Sequence, residues 1–242
     1  MLARESADSK PVALITEGTN MIGAEISSER EVERKICNLV KQTPGLVLAD
    51  FAGADIDRLN SFYKASKKCD RKLALSMRQA HLVNRLRGDP QLEIPNIHDS
   101  DIMVFQKSKK RYYNWEKEIL QSANIADASK IGTTQDSARY DFEELIDIKP
   151  LQESCYLLSA SEPYNEEMEL DFERLTNWMT YYGLPEYHIH ASGHIMPLQL
   201  RKVLRTARAF PVHCEYPGLF ERFIGNTGSK IVLPEKGKEY SL

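Results

Sequence analysis

The chain reads as a succession of short apolar runs, each followed by a turn and then by a segment of helical periodicity. Residues 11–16 (PVALIT), 46–49 (LVLA), 72–75 (KLAL), 102–105 (IMVF) and 155–158 (CYLL) have the length and continuity of strands buried on both faces. Helical patterns alternate with them. Ser28 stands three residues before Glu31 as a capping box and opens a charged helix that Pro44 and Gly45 end. Asp55 to Lys68 carries Ile56, Leu59, Phe62 and Tyr63 on one stripe. Met77 to Leu86 and Tyr112 to Ala123 follow, and Glu166 to Tyr182 turns Met168, Phe172, Leu175, Trp178 and Met179 inward. Ile125 to Pro150 shows only a short helix pattern at Phe142 to Ile146. Repeated strand, turn and helix predict an α/β fold built on a largely parallel sheet. Ligands bind such sheets beyond the carboxyl ends of the strands. That edge is expected to carry Glu17, Phe51 to Ala54, Ser76 to Arg78, Ser159 to Ser161, His190 to His194 and His213.

Composition narrows the class of protein. With 42% hydrophobic and 28% charged residues the chain has the balance of a soluble globular protein. No apolar run approaches the roughly 18 residues of a membrane span, so no membrane partner is expected. The net charge of −3 gives no overall basic field, although a local groove can still be basic. Cys37, Cys69, Cys155 and Cys214 are far apart and form no CxxC pair, as reduced thiols of a cytoplasmic protein would be. The first buried-strand pattern begins after only about ten polar residues. The expectation is that the chain enters in the middle of a larger fold.

Chemistry concentrates between His188 and Tyr216, in HIHASGHIMPLQLRKVLRTARAFPVHCEY, which holds four of the six histidines. His194 ends an A-S-G-H turn. His213 ends the apolar run 209–212 and is followed by Cys214 and Glu215. Between them Leu198, Leu200, Val203, Leu204 and Ala207 form the apolar face of a helix. A histidine just past a buried strand aims its imidazole into a cleft, where metal ligands and acid/base groups sit. A lone strand-end histidine is nonetheless more often a hydrogen-bonded structural residue. The run Lys107, Lys109, Lys110, Arg111 is read as a solvated loop, with Tyr112, Tyr113 and Trp115 beside it raising a nucleic-acid reading. Ser28 to Arg34 reads as a solvated helix face. His81 and His98 read as surface residues.

Three segments taken together, ALITEGTN at 13–20, HASGH at 190–194 and PVHCEY at 211–216, resemble the β-CASP branch of metallo-β-lactamase-fold nucleases. The resemblance is especially to ribonuclease J and its archaeal relatives; the mRNA 3′-end processing endonuclease belongs to the same branch. The resemblance implies a β-CASP domain over 26–185, a Rossmann-like parallel sheet. Residues 1–25 would then be the end of the first metallo-β-lactamase segment, and 186–242 the carboxy-terminal part of that αββα fold. It implies an RNA-processing hydrolase with two zinc ions. Glu17 would be the acidic residue that orients His194, His194 the proton donor to the leaving 3′-oxygen, and His213 a zinc ligand. His190, Ser192 and Gly193 would contact substrate phosphate. Gly53, in the Phe51 to Ala54 loop, and Arg78 would approach a 5′-terminal phosphate, although the family's usual Ser and Asn are replaced there.

The sequence departs from that family by lacking the H-x-H-x-D-H motif, the bridging aspartate and its upstream histidine. Of about seven expected zinc ligands only His213 is present, and one imidazole does not make a zinc site. The chain alone is therefore expected to bind zinc weakly or not at all and not to cleave RNA. It would need a partner chain or further segment, or would associate with itself through the apolar surface of residues 12–16 and 209–212. A second reading is a non-catalytic RNA-binding or scaffolding subunit paired with an active β-CASP nuclease. A third, an unrelated α/β hydrolase or transferase, is opposed by the absence of a G-x-S-x-G elbow and of a P-loop.

Overall fold

The computed structural model describes residues 11–22, 28–132, 137–138, 142–161, 163, 165–191, 193–204 and 208–241. The chain forms two compact units, residues 28–192 and residues 1–27 together with 193–242. Both are α/β with parallel strands, so the candidate edge foreseen in the sequence is divided between two sheets.

The larger unit holds strands β2 (Val47–Asp50), β3 (Leu73–Ser76), β4 (Ile102–Phe105), β5 (Ile125–Ala126), β6 (Ser137–Ala138), β7 (Cys155–Leu158) and β8 (Glu186–His188). Its helices are α1 (Glu29–Gln42), α2 (Ile56–Lys68), α3 (Met77–Leu86), α4 (Asn114–Ser122), α5 (Ala128–Gly132), α6 (Phe142–Ile148) and α7 (Glu166–Tyr182). The seven strands run parallel in the order β5-β4-β3-β6-β2-β7-β8. Successive strand residues face opposite sides. Leu48, Ala74, Tyr156 and Leu158 therefore share a core with Ile131, Leu145, Ile148, Leu175 and Met179 of α5, α6 and α7. Their alternates Val47, Leu73, Leu75 and Leu157 are equally buried, toward the other side. Side-chain caps start α1 at Ser28, α2 at Asp55, α3 at Ser76 and α7 at Asn165. Gly183, at φ 64°, ends α7 in the left-handed region that glycine tolerates.

β8 pairs with β7, so residues 186–191, assigned from sequence to the carboxy-terminal segment, pack with the larger unit. The cysteines also rearrange the expectation. Cys37 on α1 and Cys69 after α2 are 32 residues apart yet their Sγ atoms lie 3.6 Å from each other. Buried Arg71 donates to the carbonyls of Val40, Thr43 and Gly45, capping the carboxyl end of α1. At Gly45 a Cβ would lie 2.6 Å from the Ser154 backbone nitrogen and 2.7 Å from the Glu153 carbonyl carbon. Backbone cannot swing aside as a side-chain tip can. Gly45→Ala is therefore expected to destabilise the larger unit by about 1–3 kcal/mol, read as a lower urea midpoint with an unchanged slope. An unchanged midpoint would show that the 153–154 turn yields freely.

The smaller unit holds β1 (Ala13–Glu17), β9 (Arg208–Val212) and β10 (Lys230–Ile231), parallel in the order β1-β9-β10, with helices α8 (Pro197–Val203) and α9 (Pro217–Ile224). Its core is Leu200, Leu204, Ala209, Phe220 and Ile224. The expectation that the apolar surfaces of 12–16 and 209–212 both lie open holds for the first and is reversed for the second. The segment 209–212 is not open to solvent: β9 is the central strand, flanked by β1 and β10, and Ala209, Phe210 and Pro211 are buried. β1 is an edge strand among the described residues, and its run is not buried on both faces: Ile15 is 73% and Val12 62% exposed. Among the described residues no helix is long and apolar enough to cross a membrane.

Candidate functional site

The polar constellation of the smaller unit grows out of the register of β1 on β9. Glu17 stands opposite Val212, and the Gly18 N–H donates to the Val212 carbonyl at 3.2 Å. Two parallel strands thus release their chains side by side at their carboxyl ends, one into Gly18-Thr19-Asn20 and the other into His213-Cys214. Gly18 has to be glycine, because a Cβ there would sit 2.7 Å from the Cys214 Sγ and 3.0 Å from the Phe220 ring. His213 takes a left-handed backbone, φ 48°, that turns the chain off β9.

Within this corner Glu17 is held from both sides. Its Oε2 accepts the Thr19 N–H and its Oε1 the Ile195 N–H, each at 2.8 Å. His194 presents Nδ1 to Oε2 at 3.4 Å. Asn20 donates from its side chain to the His194 carbonyl at 3.0 Å, and the Thr19 hydroxyl to the His213 carbonyl at 3.4 Å. The sequence E-G-T-N therefore ties both histidine turns to the end of β1. His213 is exposed and borders a cleft of about 530 Å³ lined also by Cys214, Pro217, Leu233 and Glu235. Gly193 has φ 74° and open space where a Cβ would project. Ser192 lies outside the described residues.

Partial burial pushes the Glu17 carboxyl up, but hydrogen bonds from Thr19 and Ile195 and the nearby His194 imidazole outweigh it, and the net shift is down from 4.5. The sign of the linkage follows. A folded-state value below the unfolded one means that Glu17 contributes stability above the unfolded carboxyl range, and that this contribution is lost as pH falls through the folded value. Acidification from about pH 5 toward 3 is expected to loosen the smaller unit, and Glu17→Gln to flatten that dependence. Amide hydrogen exchange at Thr19 and Ile195 measures it; identical pH slopes in the two proteins would overturn it.

Metal ligation was tested on the same residues. Both Glu17 oxygens are taken by backbone N–H groups. Among the described residues no group of three or more His, Cys, Asp or Glu side chains is arranged to hold a metal ion. These residues offer the His213 imidazole to a metal and do not complete a zinc site.

A second polar cluster lies in the larger unit, at the carboxyl ends of β2, β7 and β8, and centres on a residue the sequence reading passed over. Arg58, in the first turn of α2, is 1% exposed. Its Nε and Nη2 grip both oxygens of Glu29 at 2.9 and 3.1 Å. Its Nη1 donates to the Ser159 carbonyl (2.5 Å) and hydroxyl (2.7 Å) and reaches His190 Nδ1 at 3.2 Å. Ser61 adds a hydrogen bond to Glu29 and Ser159 another to the Ile189 carbonyl. Arginine only donates, so His190 Nδ1 accepts and the ring proton sits on Nε2, which faces the Ser161 hydroxyl at 3.4 Å. Burial first, and then the Arg58 charge, lower the His190 pKa and keep it neutral. Glu29, itself 36% exposed, is thus the ion-pair partner of a buried arginine, and the solvated-face reading of 28–34 is incomplete at that position. A buried arginine next to Leu59 leaves no periodicity signal. Its one sequence clue is a charge at an inward-facing position of α2, beside the Leu59 and Phe62 stripe.

Near the loop that the family resemblance assigns to a 5′-phosphate, the start of α2 is already capped. Asp55 caps α2 from within, its carboxylate accepting the Arg58 N–H at 2.9 Å, where an anion would otherwise bind. Glu29, Glu33, Asp55, Asp57 and Glu93 then outnumber Arg30 and Lys64 around the adjoining groove of about 780 Å³. Gly53 is half-buried in the loop before this cap, and Arg78 is exposed in the first turn of α3. Comparison with known proteins finds no family model that matches the chain and no matching curated protein.

Proposed function

We propose that the chain is part of a metal-dependent ribonuclease of the β-CASP, metallo-β-lactamase-fold kind. The observation that carries this reading is the grip on Glu17: the Thr19 and Ile195 N–H groups fix a carboxylate that also faces the His194 imidazole, at the joined carboxyl ends of two parallel strands. A carboxylate held this way orients an imidazole for proton transfer. With His194 Nδ1 on Glu17, Nε2 lies on the far side of the ring. There it donates a proton to the 3′-oxygen as the P–O3′ bond breaks and a water-derived oxygen bonds to phosphorus, leaving a 3′-hydroxyl and a 5′-phosphate. Zinc in such enzymes activates that water. His213 offers it one ligand, and the remaining ligands belong to a second chain or segment. The exposed Ile15 of β1 and Val12 just before it supply apolar surface suited to such a partner. In the larger unit His190, kept neutral by burial and then by Arg58, sets its Nε2–H beside the Ser161 hydroxyl, a pair of donors suited to a phosphate oxygen.

The experiment is cleavage of end-labelled single-stranded RNA by the protein purified with whatever it associates with, with and without a chelator. Chelator-sensitive cutting that disappears in His194→Ala, together with reduced zinc content in His213→Ala, is the expected result. Robust chelator-sensitive cutting by the 242-residue chain alone would overturn the shared zinc site. Cutting indifferent to His194→Ala would assign the chain to the scaffolding role.

A further inference from the structure

We propose that the loop 106–113, with the adjoining ends of α3 and α4, is an accessory contact for single-stranded RNA. The proposal rests on the ribonuclease reading but on none of the residues that carry it. The loop, QKSKKRYY, has four cations and no acid in eight residues.

The loop is built rather than loosely solvated. The buried Glu116 accepts the Tyr113 N–H at 2.7 Å with one oxygen and pairs with Lys109 through the other. Lys109 is thereby held with its Nζ 5.4 Å from the centres of both the Tyr112 and Tyr113 rings. The Gln106 side chain donates to the Tyr112 hydroxyl at 3.0 Å, and that hydroxyl donates to the Lys107 carbonyl at 2.9 Å. Lys109 and Tyr112 thus serve as internal fixings, with the Tyr113 ring beside Lys109. They leave Lys110 and Arg111 exposed, and Tyr113 70% exposed.

The sheet brings further groups of the same kind alongside. β3 and β4 are neighbours with Ser76 opposite Phe105, so the start of α3 emerges beside the start of this loop. Exposed Arg78 stands there. One turn on, His81 packs against Trp115 of α4 with ring centres 5.0 Å apart. The acidic Glu118 on α4 is offset by Arg85 at 3.6 Å.

Cations spaced along a loop, with a flat ring presented to solvent on a rigid mount, are what a single strand needs. Phosphates meet the cations and an unpaired base stacks on the ring. An acidic peptide would use the cations and leave Tyr113 idle. A duplex would present no free base face to it. Glu116 is the positioning residue, because it fixes both Lys109 and the backbone of Tyr113.

Binding of a labelled oligouridylate of about 16 nucleotides to the full chain, followed by anisotropy in chelator across a salt series, tests this. Tyr113→Ala is expected to weaken binding by about 5- to 100-fold while Tyr113→Phe retains it. Lys110→Glu with Arg111→Glu is expected to lower the slope of log affinity on log salt by about 1.4, two contacts at about 0.7 each. Circular dichroism checks that each variant is folded. Affinity and slope unchanged in both variants, no binding by the unsubstituted chain, or equal Tyr113 dependence with a duplex would overturn the proposal. The two readings separate cleanly. Loop variants that bind normally refute the accessory contact whatever His194→Ala does, and RNA that is bound through the loop but not cut by the zinc-loaded assembled protein refutes the nuclease reading alone.

Discussion

Glu29→Ala is expected to cost the larger unit about 3–5 kcal/mol, because it strands a guanidinium that has almost no access to water. Arg58 is 1% exposed, whereas the Glu29 side chain is 36% exposed, so the two partners do not fail symmetrically. Without Arg58, Glu29 can turn to solvent. Without Glu29, Arg58 keeps only neutral oxygen and nitrogen partners at Ser159, Ala191 and His190. Arg58→Met should therefore cost less than Glu29→Ala, despite deleting more hydrogen bonds. The double variant should lie closer to Arg58→Met than to the sum of the two, giving a coupling of about 1–3 kcal/mol. Thermal or urea unfolding of the single and double variants measures this. A loss of 3–5 kcal/mol corresponds to roughly 6–20 °C in the midpoint for a chain of this size. A Glu29→Ala midpoint within a degree or two of the unsubstituted chain would show that water reaches Arg58.

The contrast between the two clusters explains what could be read from sequence. Strands 102–105 and 155–158 and helices 77–86 and 166–182 were legible to the residue, because each pairs an apolar pattern with a clear stop or cap. Ser137 and Ala138 were not: two small residues form β6 only because β2 and β3 pair with them on either side. α9 and β10 also went unread, since Pro217-Gly218 looks like a turn and a two-residue strand has no period. The edge position of β1 is a fact of pairing, which an apolar run does not encode. Glu17, His194 and His213 were legible as a set because each closes a strand or a turn with a functional residue type. Arg58, Glu29 and Ser159 were not, because their meeting depends on a contact across 101 residues and on burial of a charge, which local pattern does not announce. Cys37 and Cys69 failed for the same reason.

The sharpest expected effect in the smaller unit is a separation of stability from chemistry between Glu17 and His194. His194→Ala removes the imidazole but leaves the carboxylate on the Thr19 and Ile195 N–H groups. Unfolding should therefore change little, while RNA cleavage by the assembled protein falls about 10²–10⁴-fold, the usual worth of a positioned proton donor. Glu17→Gln behaves differently. A carboxylate accepts at both oxygens, but an amide accepts at one and donates at the other. One of the two N–H groups at 2.8 Å then faces an NH₂, and that unmet contact costs about 1–3 kcal/mol. The same substitution removes the charge that orients His194, so activity falls as well. Glu17→Gln should thus lose local stability and rate together, and His194→Ala rate alone, with RNA affinity preserved in His194→Ala. The readouts are amide exchange at Thr19 and Ile195, single-turnover cleavage, and binding in chelator. Equal destabilisation by the two substitutions would make the corner a structural cap. A Glu17→Gln protein that exchanges like the unsubstituted chain yet cuts normally would show that the carboxylate does neither job.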